Sequence, residues 1–138
     1  MKFVRCKYVV SFCLALFVAQ VQASDARVEE YARVAASAAN AQFQKSPPDD
    51  GVTRSARAYS QGKVVVYEFV LAIRADVTES ELAAWRAGTR GEIVPAACEL
   101  LRNDEFFSKG FYFRYRYLER SGKILDDFPV NRPACEGL

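Results

Sequence analysis

Phe111-Tyr112-Phe113-Arg114-Tyr115-Arg116-Tyr117-Leu118 is the most patterned segment of the 138-residue chain. Phe111, Phe113, Tyr115 and Tyr117 alternate with Tyr112, Arg114, Arg116 and Leu118, a period of two that predicts a strand with one aromatic face and one mixed basic face. Arg120-Ser121-Gly122-Lys123 turns the chain back, and Ile124 to Val130 is expected to return as its antiparallel partner. A two-residue turn sets Tyr115 opposite Phe128, Phe113 opposite Val130 and Arg116 opposite Asp127. Pro129 and Pro133 suit an edge strand or its end, since proline gives no ladder hydrogen bond.

Upstream the same unit recurs. Strands are expected at roughly 52–60 and 63–74, joined by Ser60-Gln61-Gly62-Lys63, with Gly62 free to take positive φ. Val65, Tyr67, Phe69, Leu71 and Ile73 point one way, and Val64, Val66, Glu68, Val70 and Ala72 the other. Both faces are largely apolar, which suits a central strand. Between the hairpins, Thr78-Glu79-Ser80-Glu81 is a capping box opening a helical region from 79 to about 103. Gly88, Gly91 and Pro95 are poor helix interiors and predict a break near 88–91. An amphipathic helix precedes the first hairpin. Ser24 or Asp25 can cap it, Val28, Tyr31 or Ala32, Ala35, Ala38 or Ala39, and Phe43 carry its apolar spacing, and Ser46-Pro47-Pro48 stops it. The expected fold is α+β: helix, hairpin, helix, hairpin, with a four-stranded antiparallel sheet and both helices on one face.

The first residues predict export. Lys2, Arg5 and Lys7 precede an apolar stretch, Tyr8 to Ala19, and then Val21 and Ala23 stand three and one before a cut after Ala23. This is the layout of a secretory signal read by the Sec pathway. The stretch is shorter than the roughly twenty residues of a bilayer span. The expectation is therefore a signal peptide at 1–23 and a single domain at 24–138 in the periplasm or medium, with no stable membrane span. The whole chain has 19 Lys and Arg against 17 Asp and Glu, but residues 24–138 have 16 against 17. A net charge of −1 removes the global basic excess that nucleic-acid binding needs.

Cys6 and Cys13 fall in the signal, leaving Cys98 and Cys135. Two thiols in an exported domain most simply pair, here closing a loop of 37 residues. A metal pair would lack further His or Cys partners, and a reactive thiol would lack a histidine activator.

The chain contains no histidine, which excludes the Ser-His-Asp triad, Cys-His pairs and the zinc-protease helix motif. Phosphate-cradling glycine motifs and calcium-loop spacings are absent too, and no cofactor or metal is expected. A carboxylate pair could work without histidine. The candidates are Glu68, Glu99, Glu105, Asp126 and Asp127, with Glu68 singled out as an acid in an otherwise apolar strand. Its structural reading is a cross-strand partner of Ser55 or Arg57. Asp126 and Asp127 read as a surface pair near Arg116 and Tyr117.

Tyr59, Tyr112, Arg114 and Arg116 form the candidate interface, an aromatic–arginine surface of the kind favoured between proteins. The competing reading is an ordinary half-buried strand whose arginine stems cover the sheet. The leading expectation is a non-enzymatic exported protein that binds another protein. The alternatives are a carrier of a small apolar ligand in a sheet–helix gap left by Gly88 and Gly91, and a histidine-free carboxylate hydrolase.

A helix cysteine, Gly110 to Tyr117, a Ser121-Gly122-Lys123 turn, a short strand and the terminal Cys135 together resemble small secreted or periplasmic proteins of Gram-negative bacteria. Among these is the quorum-sensing-regulated virulence factor family. The resemblance covers about 40 residues of the chain. It implies a small exported α+β domain with a role in secretion or host interaction, and brings no catalytic or binding residues with it. The secretion-system pilotins are a related type. Many of them are lipidated, whereas Cys13 here follows Val10-Ser11-Phe12 and lacks a lipobox.

Overall fold

The computed structural model describes the backbone of residues 7–138 and the side chains of residues 24–138. The expected cut after Ala23 adjoins a segment whose side chains lie outside the described residues. Helix α1 runs from Lys7 to Lys45. It does not begin at Ser24 or Asp25, because no glycine or proline interrupts the chain between 7 and 45 and helix propagates through the expected boundary. Among the described residues no helix is long and apolar enough to cross a membrane.

Strands β1 (Thr53–Gln61) and β2 (Val64–Leu71) form the first hairpin, with Gly62 at φ +58° in its two-residue turn. A left-handed residue at the first turn position matches the strand twist, and only glycine adopts it freely. Helix α2 (Glu79–Arg102) follows its capping box, Glu81 N–H donating to Thr78 Oγ1 at 3.2 Å and Thr78 N–H to Glu81 Oε2 at 2.8 Å. Contrary to the expected break, α2 is continuous through Gly88, Gly91 and Pro95. Its buried stripe of Leu82, Ala97, Cys98 and Leu101 outweighs the propensity cost, and both glycines face solvent. A 3-10 turn (Phe107–Lys109), strands β3 (Tyr112–Glu119) and β4 (Ile124–Val130), and a four-residue helix α3 (Arg132–Cys135) complete the chain.

The strand order is β1-β2-β3-β4. Both hairpins are antiparallel, but β2 and β3 pair in parallel, so the sheet is mixed rather than wholly antiparallel. The cause is α2. Its 24 residues span about 36 Å at 1.5 Å each, longer than an eight-residue strand, so the crossover carries the chain back to the end where β2 began. β3 must then run the same way as β2.

All helices pack on one face. There Tyr67, Tyr115 and Phe128 stand in register across three strands and stack at centroid distances of 5.2 and 5.7 Å. Phe43 of α1 meets Tyr67 and Phe69 edge-on, and Trp85 of α2 meets Tyr117 edge-on. Alanines at 32 and 36 of α1 let it lie close on β1, beside the fully buried Val28. Tyr31 stacks on Phe106 and donates to Asp104, which pins the 3-10 turn to α1.

Side chains interrupt both sheet edges. Asn40 of α1 imitates a peptide group against β1: its Nδ2 donates to the Ala58 carbonyl at 2.6 Å and its Oδ1 accepts from Ala58 N–H at 2.7 Å. On β4, Arg86 Nε donates to the Leu125 carbonyl at 2.8 Å, Asp126 Oδ1 accepts from Asp127 N–H at 3.0 Å, and Pro129 has no N–H.

Candidate functional site

Among the described residues no helix covers the second face of the sheet, and its side chains follow from strand parity. One row across all four strands reads Arg57, Glu68, Arg116, Asp127, each opposite the next. Charge alternates along it. Arg57 Nε donates to Glu68 Oε1 at 2.7 Å, and Arg116 Nη2 lies 3.1 Å from Asp127 Oδ2. Between them Arg116 Nη1 donates to Tyr59 Oη at 3.2 Å and stands 3.9 Å from Glu68 Oε2. Arg114, one row along, forms a two-pronged pair with Asp127, its Nε donating to Oδ1 at 2.6 Å and its Nη2 to Oδ2 at 3.1 Å. Such a fork fixes the guanidinium in plane and direction.

The structure thus brings Tyr59, Tyr112, Arg114 and Arg116 to one surface, with Tyr112 opposite Val64 at its end. Tyr59 and Arg114 flank Val66 in register and help exclude it from water on a face with no helix. Arg57 also lies over the Tyr59 ring at 5.2 Å. Three arginines face two carboxylates, so the network keeps one positive charge. Burial pushes the Asp127 carboxyl up, but the hydrogen bonds and charges of Arg114 and Arg116 overcome this and hold it below the usual carboxylate value.

That lowered value has a signed consequence. A carboxyl depressed in the folded state stabilises the fold above its unfolded pKa of about 3.9, and the contribution fades as pH falls through the folded value. Loosening the pair with Arg114→Gln is expected to flatten the acid limb of a plot of melting temperature against pH below about pH 4. A limb of unchanged slope would show that Arg114 does not set the Asp127 titration.

Glu68 takes the structural role considered for it: it is buried and bonded to Arg57 and near Arg116 and Tyr59. Asp127, the other acid of the row, sits on the far side of Arg116 from Glu68, so the guanidinium separates these two carboxylates. Glu99 and Glu105 are exposed, on α2 and the loop after it. Asp126 is not part of a surface pair. Successive strand residues point to opposite faces, so Asp126 turns inward, is 6% exposed, and forms a two-pronged pair with Arg90 of α2. Among the described residues no cluster of three or more His, Cys, Asp or Glu side chains could hold a metal ion.

Gly88 and Gly91 do not open a sheet–helix gap. A Cβ at either would meet no atom within 4 Å, because both point outward, and aromatic rings fill the layer between sheet and helices. The concavity of note lies elsewhere, at the end of the sheet. It is a cleft of about 700 Å³ whose lining includes Arg54, Leu71, Leu82, Arg120 and Lys123. Its walls come from three separate stretches of chain, at 54, 71–82 and 119–123, which only the fold brings together. Cys98 and Cys135 are bonded, joining α2 to α3.

No family model matches the chain, and no curated protein matches it. Two solved structures share its fold. The pilotin EpsS of the Vibrio vulnificus type 2 secretion system superposes with a TM-score of 0.59 at 16% identity, covering 85% of this chain and 99% of that one. The type II secretion system pilotin AspS of Vibrio cholerae gives 0.55 at 17% identity, covering 83% and 97%. At these identities the likeness is one of architecture: this chain has the fold of two Vibrio pilotins.

Proposed function

We propose that this chain is an exported, non-enzymatic accessory protein that binds another protein of a secretion system or of the cell envelope, and that the open sheet face is its interface. Residues 1–23 act as a Sec signal cut after Ala23, which delivers residues 24–138 to the periplasm or beyond. The observation that carries the reading is the open face itself: Arg57, Arg114, Arg116 and Tyr59 held in fixed directions by the buried Glu68 and the half-buried Asp127, with no helix over them among the described residues. Fixed side chains lose little entropy on binding, and arginine and tyrosine are the residue types that dominate interface energetics. The fold shared with two secretion-system pilotins supports a partner in secretion.

The test uses the exported protein as isolated, whose intact mass should correspond to an N-terminus at Ser24. Reversing Arg114 or Arg116 to glutamate would set a third acid beside Glu68 and Asp127 and damage the sheet. Tyr112→Ala with Arg114→Gln is the milder pair, because Asp127 keeps Arg116. Recovery of an envelope or secretion protein on this bait should fall at least about tenfold, a loss of about 1.4 kcal/mol. An Arg33→Gln bait, altered on the exposed side of α1, should recover it in full. Equal yields from all three baits would remove the open face as the interface.

A further inference from the structure

We infer that the cleft at the sheet end is a second binding site, built for an acidic peptide segment with aliphatic side chains; this rests on the reading of the chain as a protein-binding molecule. Leu71 ends β2 and Glu119 ends β3, so the cleft opens at the carboxyl ends of the one parallel strand pair. There the chain leaves β2 toward α2 but leaves β3 toward β4. The two exits diverge and leave a crevice, as they do where ligands bind in open sheets with parallel strands.

Basic residues outnumber acidic ones in the cleft lining, with Arg54, Arg74, Arg120 and Lys123 against Glu79 and Glu119. Arg74 is matched by Asp76 at 3.4 Å and Glu81 at 3.2 Å, and Glu79 by Arg86 at 2.6 Å. Arg54, Arg120 and Lys123 are exposed on its walls and form no ion pair among the described residues; against them stands Glu119, which accepts from the Ser121 hydroxyl at 3.2 Å. Residues 24–138 as a whole have one more acid than base, so this positive concavity is a local concentration and not a sample of the surface. Between the cations the half-buried Ile73 and Val77 supply an apolar strip, backed by the core residues Leu71 and Leu82. An apolar strip within a basic rim fits carboxylates and aliphatic side chains on one chain. A flat anionic membrane would meet the rim and leave the strip unused.

The probe is a short fluorescent peptide of alternating glutamate and leucine, compared with its glutamine–leucine analogue and with phosphatidylglycerol vesicles. The exported protein should bind the acidic peptide at least about tenfold more tightly than the neutral one, with affinity falling as salt rises. The triple variant Arg54→Gln, Arg120→Gln, Lys123→Gln should lose that preference while keeping its melting temperature, since surface ion-pair changes have small effects. Tyr112→Ala with Arg114→Gln should bind the peptide as the unaltered protein does, which separates this site from the open face. If partner recovery drops only in the cleft triple, the open-face assignment fails and the cleft stands. Equal binding of both peptides, binding unchanged in the triple variant, or vesicle binding without peptide binding would each overturn the inference.

Discussion

Replacing Cys98 and Cys135 together by alanine is expected to lower the stability of the exported protein by about 4 kcal/mol and its melting temperature by on the order of 10–20 °C. The bond closes a 37-residue loop, and the chain-entropy account assigns roughly that figure to a loop of such length. Its position gives a structural reason as well. α3 is only four residues long, and besides the bond it is held to α2 by Arg102, which donates to the Cys135 carbonyl at 3.1 Å and the Leu138 carbonyl at 3.0 Å. Both sulfurs are buried in the main core with Leu101 and Val130. Reduced wild-type protein should melt close to the double variant. A fall of only a few degrees in either would mean that packing alone seats the tail.

The second large effect is expected at Arg90. Arg90→Ala should cost about 2–3 kcal/mol in urea denaturation, below the usual 3–5 for a broken buried pair because Arg90 is itself half exposed. Its loss leaves the Asp126 carboxylate, 4% exposed, with the Asp127 N–H as its remaining partner. Arg90 also lies over the Phe128 ring at 4.8 Å, so the guanidinium closes the seam between α2 and β4. Removing both charges, as Arg90→Met with Asp126→Ala, should restore much of the loss, because no unpaired carboxylate stays behind. Arg86→Ala, which gives up a backbone contact and an exposed ion pair, should cost about 1 kcal/mol. If Arg90→Ala costs under about 0.5 kcal/mol, water reaches Asp126 and the seam is open.

The register of β3 against β4 was legible from Phe113 to Tyr117, but the turn is not the expected two-residue one: Glu119 N–H donates to the Lys123 carbonyl across a three-residue loop, and a bulge between Tyr117 and Leu118 absorbs the extra residue. Alternation of rings and polar groups fixes parity, a short turn fixes offset, and Tyr115 does face Phe128 as Arg116 faces Asp127. Parity likewise placed the Arg/Tyr surface and narrowed the partner of Glu68 to Ser55 or Arg57, of which the register selects Arg57. Strand direction was not legible, since a period of two reads the same both ways. The clue was the crossover's length, and weighing α2 at 1.5 Å per residue would have revealed the parallel pair. The continuity of α2 was hidden because propensity is local, while the burial of Leu82 and Leu101 that overrides it is tertiary. The Arg90–Asp126 pair spans 36 residues, and nothing in the local pattern of either strand or helix announces it.

The partly guarded flanks of the sheet bear on how company can be kept. Asn40 occupies the Ala58 peptide groups in the middle of β1, while on β4 Arg86 takes the Leu125 carbonyl, Asp126 takes the Asp127 N–H and Pro129 has no N–H to offer, so each edge is an interrupted ladder. A visiting strand or a sister copy would have to displace these side chains before it could pair along the whole edge.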